Sequence, residues 1–381
     1  MTNSDDVWRL LRDQVAAREA VECPLDQAFG RVLREDVKAP EDQPAFDRSA
    51  VDGFAVRSGD TSESFRIVGE IRAGDWKPSD LPIGEVLRIA TGGAIPGPGT
   101  EVVMLEDTVE DSGKVRLLRR GGDHIRRQGD DAKTGEVLIR AGTTLTDGCI
   151  ALLASVGCTK PLVTRKLRAR HIVTGNEIID PAHFPSPGQI RDANSSLVAA
   201  WSALHRLELR QHRVGENAEE LRAGMDGAED LYLISGGASV GRYDFTEQVL
   251  RETGFTLLVT KVNARPGKPL LIARRGEQWA FGLPGNPLSH FVCLHVFVAA
   301  AVASMHGGAL RPELLQGTCL DEVAGNPRET WWPADIEISG LRPLRWASSG
   351  DITSLARTRA LLRVPSFGLA VDCAAEFIRT T

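Results

Sequence analysis

Two apolar periods alternate along this chain, and each change of period marks a part of it. Val7, Leu10, Leu11 and Val15 recur at helical spacing behind Asp5 and Asp6, predicting an amphipathic helix that Pro24 stops before a second short segment around 25–33. From Ala39 the texture becomes short apolar runs broken by Gly and Pro, at 54–56, 65–68, 86–89, 101–105 and 114–118. Runs of this length and spacing predict a small all-β domain. Helical spacing returns at 147–156 with Asp147 as the predicted N-cap, so the β-rich stretch reads as an insert in an extended helical element.

Beyond residue 166 the pattern predicts strands at 170–174, 209–214, 231–234 and 255–259, separated by helices. Leu197, Trp201 and Leu204 line one helical face, and Asn217 caps another helix with Glu220 at the capping-box position. The run 231–234 is apolar throughout, as a strand buried on both faces must be. This alternation predicts a doubly wound, mostly parallel α/β domain, whose ligands belong at the carboxyl ends of its strands. The polar loops 174–177, 235–237 and 282–287 fall there. Short runs at 336–338, 361–364 and 369–371 predict a β-barrel-like tail. The expected class is α/β multidomain, divided into a discontinuous helical part (1–40 and 141–166), a β-rich insert (41–140), the α/β domain (167–310) and the tail (311–381).

Composition narrows the function. The 381 residues are 42% hydrophobic and 25% charged, with a formal net charge of −6 that argues against broad nucleic-acid binding. Any polyanion must therefore meet a local cluster of amides and cations. The longest apolar run, 291–305, is shorter than a membrane span, and the acidic N-terminus is unlike a secretory signal, so a cytoplasmic location without a membrane partner is expected. The six cysteines show neither zinc nor disulfide spacing.

Candidate chemistry gathers at the predicted loops. Ser235-Gly236-Gly237 and Gly241 strip side chains from the turn between a strand and a helix, where backbone amides meet anions. Asp244, three residues beyond Gly241, fits either the N-cap of the next helix, which its spacing slightly favours, or a cation ligand. Glu177 ends another strand in the same crevice, so the two acids could share a divalent cation. Arg265-Pro-Gly-Lys268 sets two cations either side of a tight turn, suited to a tetrahedral oxyanion. The stretch 281–289 fixes its backbone with two prolines and two glycines ahead of an apolar helix that starts near Ser289. The loop 46–54, with Asp47, Ser49 and Asp52, reads by default as solvated, and Trp331, Trp332, His290 and His295 read as packing.

These motifs, in this order, resemble the molybdopterin molybdenumtransferases, the family that includes the gephyrin E domain. The resemblance rests on Pro44-Ala-Phe-Asp-Arg-Ser-Ala-Val-Asp-Gly-Phe-Ala, Thr174-Gly-Asn-Glu, Ser235-Gly-Gly-Ala-Ser-Val-Gly-Arg-Tyr-Asp, Arg265-Pro-Gly-Lys-Pro and Leu283-Pro-Gly-Asn-Pro-Leu-Ser, with Ser349-Gly-Asp-Ile-Thr-Ser-Leu-Ala-Arg in the tail. It implies four domains, a homodimer, and insertion of molybdate into adenylylated molybdopterin with release of AMP. It further implies that Asp244 and Glu177 hold Mg2+ and act catalytically with Asp52. Phosphate would meet the amides of Ser235, Gly236 and Gly237, and molybdate would meet Arg265, Lys268 and Ser289. Thr174, Gly175, Ser239, Gly241, Gly267, Pro269, Pro284, Gly285, Asn286 and Ser49 complete the implied substrate site. A molybdopterin adenylyltransferase and molybdoenzyme apoproteins are the further partners it suggests. This chain departs from the family at Asn176, where an Asp is usual, and at Arg265, where a Lys is usual. Two rival functions are a metal-dependent pyrophosphatase of the competence-damage type, which leaves the insert and tail unexplained, and a non-catalytic scaffold, for which no long linker is present.

Overall fold

The computed structural model describes all residues except Lys77, Asp123, 237–244, 309–312 and Thr381. The chain forms two compact units, one of Met1–Arg34, Gly142–Ala151 and Thr159–Thr381, the other of Glu35–Ala141 and Leu152–Cys158.

The smaller unit is built on a six-stranded sheet in the order Thr100–Met104, Gly53–Arg57, Glu85–Ile89, Phe65–Ile71, Lys114–Leu117 and Thr108–Asp111. Alternation divides its side chains as the pleat requires: Phe54 and Val56 join Phe65, Val86, Val103 and Val115 in one cluster, while Ala55 packs with Ile71, Ile89 and Val102 in another.

In the larger unit the predicted α/β sheet is present, ordered Glu208–Val214, Arg168–Thr174, Leu231–Ser235, Gln278–Leu283, Leu271–Arg275 and Thr256–Val259. The first four strands run parallel and the last two pair antiparallel. Leu231–Ser235 is buried at every position in the middle of this sheet. The helix Ala193–Leu204 is capped by Asp192, which accepts from the Ser195 amide, and Asn217 caps Ala218–Gly224 as expected. Glu220 does not close a capping box, because its carboxylate accepts from the Gly215 amide instead. Beyond residue 312, the strands Glu329–Glu337, Gly340–Pro343, Leu315–Cys319, Cys373–Arg379 and Ala360–Val364 close into a five-stranded barrel, since the first and last also pair.

Several boundaries differ from expectation for local reasons. The first helix, Ser4–Gln14, ends ten residues before Pro24, and the extended helical element continues as the strand Ala20–Glu22, paired antiparallel to Leu162–Thr164. Arg18 is drawn into the core by Asp230 at 2.9 Å, and this tertiary pull overrides local helix preference. Thr146, rather than Asp147, receives the Cys149 amide on its Oγ1, so Asp147 falls inside the helix Asp147–Ser155. The run 369–371 forms no strand, since Leu369 makes only an isolated bridge to Val323. The apolar run is longer than its sequence reading: Pro287–His306 is one helix of 20 residues, long and apolar enough to cross a membrane, and 89% of its apolar window is buried inside the protein. It carries a π-helical stretch at Leu294–Val298, and its side chains form much of the core with Trp8, Trp279 and Phe281.

Candidate active site

Adjacent parallel strands end at the same edge, so the turns after Thr174, Ser235 and Leu283 must emerge side by side. With the Arg265–Pro269 turn they line a cleft of about 610 Å³, roofed from the barrel by Trp332, Trp346 and Ser349. Thr174, Glu177, Ser235, Gly236, Arg265, Gly267, Lys268, Pro269, Pro284, Gly285, Asn286 and Ser289 all line it. Gly175 is buried beside this lining. Gly237, Ser239, Gly241 and Asp244 lie outside the described residues. The helix after them starts at Thr246 with Phe245 at the N-cap position, one residue past Asp244. Phe245 is itself in the αR region and offers no side-chain cap, and the cap role expected of Asp244 falls outside the described residues. Ser49 and Asp52 belong to the smaller unit.

Two glycines are required by geometry. Gly236 has φ +90°, and a Cβ there would sit 2.6 Å from the Thr174 carbonyl oxygen. Gly267 has φ +116°, and a Cβ would meet Cys293 Sγ at 2.9 Å. Gly236 thus packs against the end of the neighbouring strand, and Gly267 against the Cys293 side chain on the long helix.

The cleft is cationic in character. Arg265 and Lys268 form no ion pair among the described residues, and Arg265 lies 5.1 Å from the ring centre of Trp346. Stacking there holds the guanidinium without neutralising it, which keeps its charge available to an anion. Asn286 stands at the N-cap of Pro287–Cys293 without accepting an amide, so the helix's first N–H groups have no side-chain cap. Its amide donates to Ser349 Oγ at 2.8 Å. Asn194 ties another edge by donating to the Gly285 carbonyl at 2.8 Å, which leaves its Oδ1 buried without a partner.

Beneath this surface lies a polar layer that sequence reasoning missed. His171 Nε2 is 2.5 Å from Ser235 Oγ, and Gln211 reaches His171 Nδ1 at 3.0 Å. Burial lowers His171 to about 3 and His290 to about 4, so both rings are neutral near pH 7. Asp192 is buried as well; burial raises its carboxyl, but hydrogen bonds from Ser195 and Arg213 outweigh this and hold it below the usual range. Trp332 and Trp346, expected only to pack or not singled out, form the aromatic wall in edge contact at 5.4 Å.

Asn176, the departure from the usual Asp, accepts from the Glu216 amide at 3.2 Å, a role a carboxylate oxygen would fill equally. In the smaller unit Ser49 is buried, with its hydroxyl donating to the Val51 carbonyl at 2.6 Å. Asp52 Oδ1 accepts from the Thr91 amide and hydroxyl at 2.7 and 2.9 Å, and these bonds lower its pKa. These bonds fix both side chains within the loop, and Asp52 remains exposed.

Glu177 lines the cleft with no cation partner among the described residues, and no thiol or imidazole lines it. A lone hard carboxylate oxygen suits Mg2+. No cluster of three His, Cys, Asp or Glu able to hold a metal occurs among the described residues, and Asp244, the expected second ligand, is outside them.

A mostly parallel sheet whose carboxyl-end turns meet in one cleft, with Arg265 and Lys268 unpaired among the described residues and a barrel roofing it, defines a doubly wound α/β protein with a cationic cleft. Two family models match most of the chain: the MoeA N-terminal region (domain I and II) over residues 2–157, and the probable molybdopterin binding domain over residues 170–304. The chain is 28% identical over 379 residues to a molybdopterin molybdenumtransferase of Staphylococcus epidermidis, covering 94% of this chain and 90% of the relative. It is also 28% identical over 374 residues to the one from Staphylococcus aureus strain Mu50, covering 93% and 89%. The crystal structure of a molybdopterin biosynthesis MoeA protein from Pyrococcus horikoshii OT3 superposes with a TM-score of 0.86 at 26% identity, covering 100% of both chains. The chain belongs to the MoeA family of molybdopterin molybdenumtransferases, and its role lies in molybdenum cofactor biosynthesis.

Proposed function

We propose that the protein inserts molybdate into adenylylated molybdopterin and releases AMP. The observation that carries this reading is that Arg265 and Lys268, without an ion pair among the described residues, stand beside the Ser235–Gly236 turn in one cleft. Cleaving a phosphoanhydride while capturing an oxyanion calls for charge neutralisation and positioning more than for a strong nucleophile. In this reading the Ser235 and Gly236 amides hold phosphate, while Arg265, Lys268 and Ser289 hold molybdate. Trp332 and Trp346 offer flat apolar surface to the pterin or adenine ring. Glu177 and Asp244 would hold Mg2+, which when bound supplies charge neutralisation at the phosphates.

The match along the whole chain favours this reading over a competence-damage pyrophosphatase, which would use only the α/β domain. The proposal extends to a cytoplasmic homodimer in which the 47–54 loop of one chain completes the cleft of its partner. Supporting it are the exposure of Asp52 and the family resemblance. It extends also to the four-part division of the chain, and to delivery from a molybdopterin adenylyltransferase and to molybdoenzyme apoproteins. Following AMP after mixing protein, adenylylated molybdopterin, Mg2+ and molybdate tests the activity, and absence of AMP release refutes it. Exchange of Asp52→Ala with Asp244→Asn chains tests the shared site: mixed dimers regain activity if it is shared and stay inactive if it is not.

A further inference from the structure

His171 sits on the strand that ends at Thr174, wholly buried, one layer beneath the cleft. Its protonation is decided by its neighbours. The Gln211 side-chain nitrogen faces the Ser195 carbonyl at 3.0 Å, and that carbonyl can only accept, so the amide group must occupy that position. The same nitrogen lies 3.0 Å from His171 Nδ1. Nδ1 is therefore the accepting nitrogen of the neutral ring, and Nε2 carries the proton. Nε2–H then donates to Ser235 Oγ at 2.5 Å. An oxygen that has accepted this bond retains its own hydrogen, and Ser235 lines the cleft beside Thr174 and Gly236.

We propose that His171 is a positioning residue: the chain Ser195 O, Gln211, His171, Ser235 orients the Ser235 hydroxyl as a fixed donor toward a phosphate oxygen of the substrate. The inference rests on the phosphate role given to this turn under Proposed function. A serine with free rotation spends part of its time as an acceptor, which repels an anion. The histidine removes that orientation, and its burial keeps the ring neutral so that Nδ1 stays free to accept from Gln211.

The test measures binding of adenylylated molybdopterin by calorimetry without metal or molybdate, alongside thermal unfolding. Ser235→Ala and His171→Phe should each weaken binding roughly three- to tenfold, the worth of one net hydrogen bond. The double variant should bind no more weakly than either single one. His171→Gln, whose amide reaches the Nε2 position, should recover most of the affinity. Weakening by Ser235→Ala alone, with His171→Phe unchanged or additive, overturns the role of His171 and leaves the phosphate reading standing. No effect of Ser235→Ala overturns the role of the hydroxyl and with it that of His171, while the phosphate reading, which rests on the backbone amides of the turn, stands. If His171→Phe does not fold, His171→Gln is compared with His171→Asn, whose amide stops short of Ser235, and equal affinities overturn the proposal. Nitrogen NMR of the His171 ring gives an independent reading: protonation at Nε2 is expected, and protonation at Nδ1 contradicts the relay.

Discussion

The Asn286 side-chain amide donates to Ser349 Oγ at 2.8 Å, joining the loop that opens the long core helix to the barrel motif that roofs the cleft. This bond occupies the residue that would otherwise cap the helix, so the same contact closes the cleft and leaves the helix amides to a ligand. Asn286→Asp keeps a good capping residue but removes the donor. It should raise the substrate KM by about three- to tenfold, matching the roughly 0.5–1.5 kcal/mol of one hydrogen bond, with kcat changed less. Steady-state kinetics of AMP release give the split.

Trp346 holds the Arg265 guanidinium by its ring face. Trp346→Leu preserves apolar volume but removes the stacking, and should weaken molybdate use by about 0.5–2 kcal/mol. Arg265→Lys removes the fork and should alter the ratio of molybdate to tungstate use. An unchanged ratio counts against direct contact of Arg265 with the oxyanion.

Lys268 is exposed in the cleft and makes no ion pair among the described residues. Lys268→Ala should raise the molybdate concentration for half-maximal rate by about 1.5–3 kcal/mol of lost charge-assisted contact, while thermal stability stays near wild type. A titration of molybdate against AMP release measures it.

Asp230 anchors the start of the central strand. It accepts from Arg18 Nε at 2.9 Å, from both Arg165 terminal nitrogens at 2.7 Å and from the Arg168 amide at 2.9 Å. Asp230→Asn leaves the buried Arg18 uncompensated and should cost about 3–5 kcal/mol in denaturant unfolding. Burial raises this carboxyl, but the bonds from Arg165, Arg168 and Arg18 outweigh it and lower its pKa. Its contribution is therefore full above the unfolded carboxylate range and lost as pH falls through its folded value.

How much of this was legible in the sequence follows from the range of the signals. The strand Leu231–Ser235 and the converging turns were readable because a run buried on both faces and a glycine turn are local patterns. Most of the cleft lining followed, since each motif spans only a few residues. Trp346, Asp192 and His171 were not readable: each is a single residue with an ordinary packing role, given a place in or beneath the cleft by partners distant in sequence. The Arg18–Asp230 pair shows the same limit on the fold, because residues 212 positions apart ended a helix that local spacing would have continued.

Three buried histidines, His171, His290 and His295, and two half-buried ones, His205 and His306, set an acid limit on stability. Burial lowers His171 and His295 to about 3, and His205, His290 and His306 to about 4. The unfolded chain binds these protons near the ordinary value of about 6.5 and the folded chain does not, so stability is full above that pH. It should fall progressively from about pH 6.5 toward pH 4, each protonated site adding up to about 1.4 kcal/mol per pH unit. Denaturant midpoints across this range test it, and a flat profile contradicts neutral burial.

The central claim is that one cleft couples phosphoanhydride cleavage to oxyanion capture. The most direct measurement quantifies AMP and pterin-bound molybdenum together after mixing protein, adenylylated molybdopterin, Mg2+ and molybdate. Equal amounts of both, absent without molybdate and reduced together by Lys268→Ala, are expected. AMP release without molybdenum in the pterin product would contradict the account and identify a pyrophosphatase instead.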